Sequence, residues 1–170
     1  MASQLDGVPS RKYQQLDQFR VPPGFRGRSA VYVQLWWLVQ ATLFAWSPQV
    51  LYGWRRLLLR LFGAKIGKKT IIRSSVRIPY PWKLRIGDYC HIGEDVDLYT
   101  YGEIEIGDCA VVSQRSYICA GSHDHTSPTF DLVAENWRRG DFDVPIRIVL
   151  RSGCYLTHDS GMYELSLIHI

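Results

Sequence analysis

The sequence predicts a mainly β protein built as a parallel β-helix, and three observations predict it. The phrase IGKKTI at residue 66 returns as IGDYCH at 86 and IGDCAV at 106, a repeat of twenty residues. Within each repeat a large aliphatic recurs every sixth residue: Ile66, Ile72, Ile78 and Leu84, then Ile86, Ile92, Leu98 and Ile104, then Ile106, Val112 and Ile118. The same region lacks the spacing of three or four that an amphipathic helix needs. Three steps of six, closed by two further residues, describe a triangular lap whose aliphatics point inward. One lap has no core, but stacked laps place Ile66 beneath Ile86 beneath Ile106 and make continuous aliphatic columns.

The elements follow in order along the 170 residues. Residues 1–29 are predicted as an N-terminal arm; no short apolar run ends there at a small-residue cleavage site, so a signal peptide is disfavoured. Residues 30–62 are predicted as two helices. Residues 29–54 carry no charge, and the 17-residue core AVYVQLWWLVQATLFAW stands at the lower limit for crossing a bilayer, interrupted by Gln34, Gln40 and Thr42. The second helix reads as basic and amphipathic, with Leu51, Trp54, Leu58 and Leu61 on one face and Arg55, Arg56 and Arg60 beside or opposite it.

Charge sharpens the choice of roles for these helices. Residues 1–65 hold nine Lys and Arg against two Asp and Glu, whereas residues 66–170 hold eleven against fourteen. Tryptophans at a headgroup layer with arginines on lipid phosphates would give peripheral membrane contact. The other reading is a helical cap over the open edge of the first lap. Nucleic acid is disfavoured, because the arginines interleave with leucines and form no exposed stripe.

The β-helix domain is predicted over 66–165, with an inserted loop at 119–145. Thr70, Cys90 and Ala110 occupy one small inward slot. Gly67, Gly87 and Gly107 share another position, where a corner demands positive φ or neighbouring laps stack closely. The four cysteines form no disulfide framework: Cys90 and Cys154 share the inward slot, and Cys109 and Cys119 lack a CxxC partner. A reduced, cytoplasmic protein is the simpler inference. A zinc site joining Cys119, His123 and His125 with His91 or His158 matches no common structural spacing, so no metal is expected.

The inserted loop carries the candidate chemistry. It runs CAGSHDHTSPTFDLVAENWRRGDFDVP, rich in polar and turn-forming residues. His123 and His125 flank Asp124, so in an extended segment both imidazoles face one way and the carboxylate the other. A histidine has the pKa to take a proton from a hydroxyl near neutral pH, or it fixes the loop by hydrogen bonds alone.

The laps, together with GFRGRSAVYVQLWWLVQATLF, YGWRRLLLRLFGAKIG, YPWKLRIGD and GSHDH followed by SPTFDL, resemble the hexapeptide-repeat acyltransferases. Within that family they resemble the colanic-acid-type acetyltransferases, related to maltose, galactoside and nodulation-factor acetyltransferases. The resemblance runs from residue 22 to 162. It implies a left-handed parallel β-helix with N-terminal α-helices, against the general preference for right-handed crossovers. It also implies an O-acetyltransferase moving an acetyl group from acetyl-CoA to a sugar hydroxyl in exopolysaccharide biosynthesis. In that reading His123 is the general base, Asp124 orients a histidine, His125 is the rival base, and Asp97 and Tyr99 touch the sugar. Acetyl-CoA would lie between subunits of a homotrimer, the acceptor would be a sugar or lipid-linked saccharide, and no metal would take part. The protein would work in the cytoplasm, at the inner face of the plasma membrane. The alternative is a non-catalytic trimeric β-helix that serves as a scaffold or ligand-binding module.

The sequence departs from the family pattern after the loop. PIRIVLRSGCYL keeps the six-residue step through Leu150, Leu156 and Met162, with Cys154 in its slot. Beyond that the resemblance ceases, the relatives' further laps and their CoA contacts are not matched, and residues 166–170 are expected to be a non-native tail.

Overall fold

A computed structural model describes residues 21, 24–123, 132–133, 147–157 and 161–163; for 122–123, 132–133 and 161–163 the description is of the backbone. The chain opens with helix α1 (Ala30–Val39), whose N-terminal Ser29 accepts the Tyr32 N–H at 3.4 Å. One wide turn of π-helix, Gln40–Phe44, continues it. Helix α2 (Tyr52–Leu61) follows.

Four stacked coils come next. The first contains β1 (Lys65–Ile66) and β2 (Ile71–Ile72), the second β3 (Leu84–Ile86), β4 (His91–Ile92) and β5 (Asp97–Tyr99). The third contains β6 (Glu103–Ile106), β7 (Val111–Val112) and β8 (Tyr117–Cys119). A short antiparallel pair, β9 (Ser122–His123) with β10 (Leu132–Val133), stands between it and the fourth coil of β11 (Arg147–Leu150), β12 (Tyr155–Leu156) and β13 (Gly161–Tyr163).

Stacking divides the strands into three parallel sheets, one per side of a triangular prism: β1-β3-β6-β11, β2-β4-β7-β12 and β5-β8-β13. The register is the one the six-residue step predicts, with Ile66 on Ile86 on Ile106 on Leu150 and Ile72 on Ile92 on Val112 on Leu156. Leu98 lies on Ile118, and Met162 on Ile118 in turn. Burial of these columns between Ile66 and Leu150, with Thr70, Cys90 and Ala110 filling the remaining corner, makes the core. The inserted loop leaves this register intact. The amide of Asp88 reaches Asp108 across 20 residues, and the equivalent amide of Asp108 reaches Ser152 across 44.

The glycines resolve to close stacking. Positive φ falls two residues later, on the non-glycine corners Lys69, Tyr89 and Cys109, each between 53° and 58°. A Cβ on Gly87 would lie 2.7 Å from the Asp108 nitrogen of the coil above, and one on Gly107 would lie 2.5 Å from that of Ser152.

The helices close the first coil, by a device that hydropathy concealed. In the second coil the carbonyls of Ile86, Cys90 and Ile92 accept the amides of Gly67, Ile71 and Arg73 from the coil beneath. Their first-coil equivalents, Ile66, Thr70 and Ile72, have no coil beneath them. Arg60 Nη2 donates to Ile66 O at 2.7 Å, Arg56 Nη1 to Thr70 O at 2.8 Å and Arg55 Nε to Ile72 O at 2.6 Å. Each arginine therefore supplies the donor that a missing strand would have supplied. On the third side Trp36 donates to Ile78 O at 2.6 Å, while Gln40 Oε1 accepts the Ile78 N–H at 3.0 Å.

This arrangement corrects the predicted face of α2. Its buried residues are Arg55, Leu58 and Leu59, whereas Leu51, Trp54 and Leu61 are exposed, Leu61 to 66 %. Arg55 is 0 % exposed, its remaining donors held by Ser47, Pro48 and Gln49. The arginines that were candidates for lipid phosphates are engaged with carbonyls of the prism and its cap.

Candidate active site

The third side of the prism leads into the inserted loop. Because strand residues alternate in and out, Leu98 and Ile118 face the core while Asp97, Tyr99 and Tyr117 face outward. Arg77, Asp97 and Tyr117 stand above one another at one position of successive coils. Arg77 Nη2 lies 3.1 Å from Asp97 Oδ2, and the Asp97 side chain is 18 % exposed against 69 % for Arg77. Burial pushes the Asp97 carboxyl above its ordinary range, and the solvated Arg77 only partly offsets this.

An aromatic band runs beside that carboxyl. The Tyr99 ring lies 4.1 Å from Tyr101 and 5.9 Å from Tyr117, and Tyr101 stacks on Tyr80 at 5.5 Å and meets Phe25 edge-on at 5.2 Å. Burial, and then its hydrogen bond with Tyr101, push the Tyr99 phenol well above the usual tyrosine value, so it stays protonated. Lys83 closes the far end, donating to Phe25 O at 2.8 Å and to Tyr101 O; burial pushes its ammonium down to about 8.

The loop departs directly over this band. Ala120 donates its N–H to Tyr99 O at 3.1 Å, and its carbonyl accepts the Gly102 N–H. A Cβ on Gly121 would come within 2.9 Å of Tyr101 Cβ, so only glycine lets the chain pass so close to the ring. The strand then pairs antiparallel, His123 opposite Leu132 and Ser122 opposite Val133. The backbone of His123 is thus four residues beyond Cys119, at the mouth of the loop. Asp124 and His125 lie outside the described residues, as do most of the loop and residues 164–170.

Of the site expected from the sequence, Asp97 and Tyr99 stand on one strand next to the loop's exit. Tyr101, Tyr117, Arg77 and Lys83 were missed. The offset of twenty that links residues 77, 97 and 117 was a usable signal, since outward residues stack as surely as inward ones.

His91 is on the second side of the prism, away from Cys119 on the third. It lines a shallow cavity of about 340 Å³ with Arg73, Glu94, Ser113, Gln114 and Tyr155. Burial and then Arg73 push its imidazole pKa down. Among the described residues no three His, Cys, Asp or Glu side chains gather in a way that would hold a metal ion. All four cysteines are free thiols, Cys90 and Cys119 buried, and burial raises the Cys90 and Cys154 pKa values. No helix of the described residues is long and apolar enough to cross a membrane.

No family model matches the chain. It is 65% identical over 121 residues to WcaF of Escherichia coli strain K12, provisionally named a colanic acid biosynthesis acetyltransferase, and equally to the protein of that name from Shigella flexneri. The match takes in 71% of this chain and 66% of each relative, so the chain spans just under two thirds of their length.

Two solved structures share the fold. The hexapeptide-repeat containing acetyltransferase VCA0836 from Vibrio cholerae superposes with a TM-score of 0.57 at 17% identity, over 74% of this chain and 65% of its own. A maltose O-acetyltransferase from Clostridium difficile 630 gives 0.54 at 15% identity, over 78% and 80%. The likeness to these two rests on the stacked coils, and the likeness to WcaF on the residues themselves. The solved structures share the fold, stacked coils wound as a left-handed parallel β-helix, and over the 121 matched residues the chain is similar to the colanic-acid-type acetyltransferases.

Proposed function

We propose that the protein is an O-acetyltransferase that moves an acetyl group from acetyl-CoA to a sugar hydroxyl in exopolysaccharide biosynthesis, with His123 as general base. The imidazole takes the proton as the sugar oxygen bonds to the thioester carbonyl carbon. The carbon–sulfur bond then breaks, and the departing thiolate recovers that proton, so the enzyme ends unchanged. A backbone N–H holds the oxyanion while the tetrahedral intermediate lasts. Asp124 orients a histidine of the loop. Asp97, Tyr99 and their neighbour Tyr117 offer the acceptor a carboxylate and aromatic surface, groups that suit a sugar's hydroxyls and its C–H face. CoA binds in a groove between subunits of a homotrimer.

One observation supports this reading: the backbone that leads to His123 leaves the prism against Tyr99 and Tyr101, next to the strand that carries Asp97. Identity to proteins named as acetyltransferases supports the reaction class.

The test is CoA release from acetyl-CoA in the presence of a sugar panel. His123→Ala should lower turnover by about 10²- to 10⁴-fold with unchanged circular dichroism. An unchanged rate removes the mechanism, and acetyl-CoA binding with no transfer to any sugar favours the non-catalytic scaffold instead.

A further inference from the structure

We propose that the helix-capped end of the prism docks end-on to an anionic phospholipid surface. The inference goes beyond acyl transfer and does not depend on it. Its first support is a solvent-facing apolar crown. On α1, Val31, Leu35 and Leu38 lie opposite the buried Val33 and Trp36, since each residue advances the wheel by about 100°. Trp46 follows and is 86 % exposed. On α2, Trp54, Leu57 and Leu61 lie away from the buried Arg55, Leu58 and Leu59. Trp54 donates to Leu43 O at 3.0 Å, which joins the two helices into one surface. A monomer rarely leaves so many large side chains, two tryptophans among them, facing water together.

The second support is charge. Residues 24–87 contain twelve Lys and Arg and no Asp or Glu, whereas the described residues from 88 onward contain three against seven. The prism is therefore polarised along its axis, basic at the capped end. Arg55, Arg56 and Arg60 are engaged with backbone carbonyls, but Lys65, Lys68, Lys69 and Arg85 are exposed on the first coils around the crown. An apolar crown inside a cationic rim matches the two layers of an anionic bilayer surface, acyl chains beneath and phosphates beside. The absence of a spanning helix among the described residues fits a protein that lies on the surface. A second copy fits less well, because two capped ends brought together would oppose like charge.

The test is co-sedimentation of the purified protein with vesicles of phosphatidylcholine alone and of phosphatidylcholine mixed with phosphatidylglycerol. Binding should favour the mixed vesicles and fall with added salt. Leu38→Ser with Trp46→Ser should weaken it about tenfold or more, and Lys65→Glu with Lys68→Glu should erase the preference for phosphatidylglycerol. These side chains are exposed, so an unchanged melting curve shows that the fold survives. No binding, equal binding to both vesicle types, or indifference to the substitutions overturns the proposal. So does a fall in solution mass of the Leu38→Ser/Trp46→Ser protein without vesicle binding, which would assign the crown to a second copy.

Discussion

Asp97 holds a charge at a cost. Its carboxyl is mostly buried, its ion pair with Arg77 is to a guanidinium largely in water, and desolvation outweighs that help. A folded-state pKa above the unfolded value means that the native state binds the proton more tightly. The stability this contributes is present at low pH and is lost as pH rises through the ordinary carboxylate range and the raised folded value. Asp97→Asn should therefore melt higher than the parent at pH 7, with the gap narrowing toward pH 4, as calorimetry across that range would show. A stability gain joined to lost acceptor affinity would mark Asp97 as a residue kept for binding. Its outward stacking with positions 77 and 117 was legible in the repeat. Its burial was not, because Tyr117 comes to stand over it only once coils are stacked.

Elements were legible where one periodicity governed them. The six-residue step located the main inward columns from Ile66 to Leu156 but not the buried Val76, Val96 and Ile148, and it kept its register across the inserted loop because Leu150 still finds Ile106. The face of α2 was misread for a physical reason. Hydropathy treats arginine as a water-seeking residue, whereas here a guanidinium is a rigid set of donors facing a row of unpaired carbonyls. The glycines were correctly singled out and had two candidate causes, of which the close approach of coils is the operative one. Gly87→Ala should consequently destabilise by about 1–3 kcal/mol, the range for forcing an extra carbon into a packed site. Ala at the exposed Gly53 of α2, where the nearest atom is the tip of Arg56 at 3.8 Å, should be neutral or stabilising. Thermal melts of the two variants separate packing from conformational freedom.

At the scale of the whole molecule, the capped end sets what the prism can meet. Without side-chain donors the carbonyls of Ile66, Thr70 and Ile72 would present an open edge to any passing strand. Arg55→Ala/Arg56→Ala/Arg60→Ala should lower the melting temperature and give concentration-dependent elongated particles by light scattering, with about 1–3 kcal/mol lost for the buried Arg55 carbonyl partner alone. The loop shows the converse at the third side. A detour from 20 to 44 residues between equivalent bonds leaves the next coil seated as though nothing had intervened. That corner behaves as a socket: chain of another length or chemistry could be plugged in there while the lattice below is inherited unaltered. On the proposed function, acceptor choice would diverge through the plug, and the housing would have no need to be reinvented.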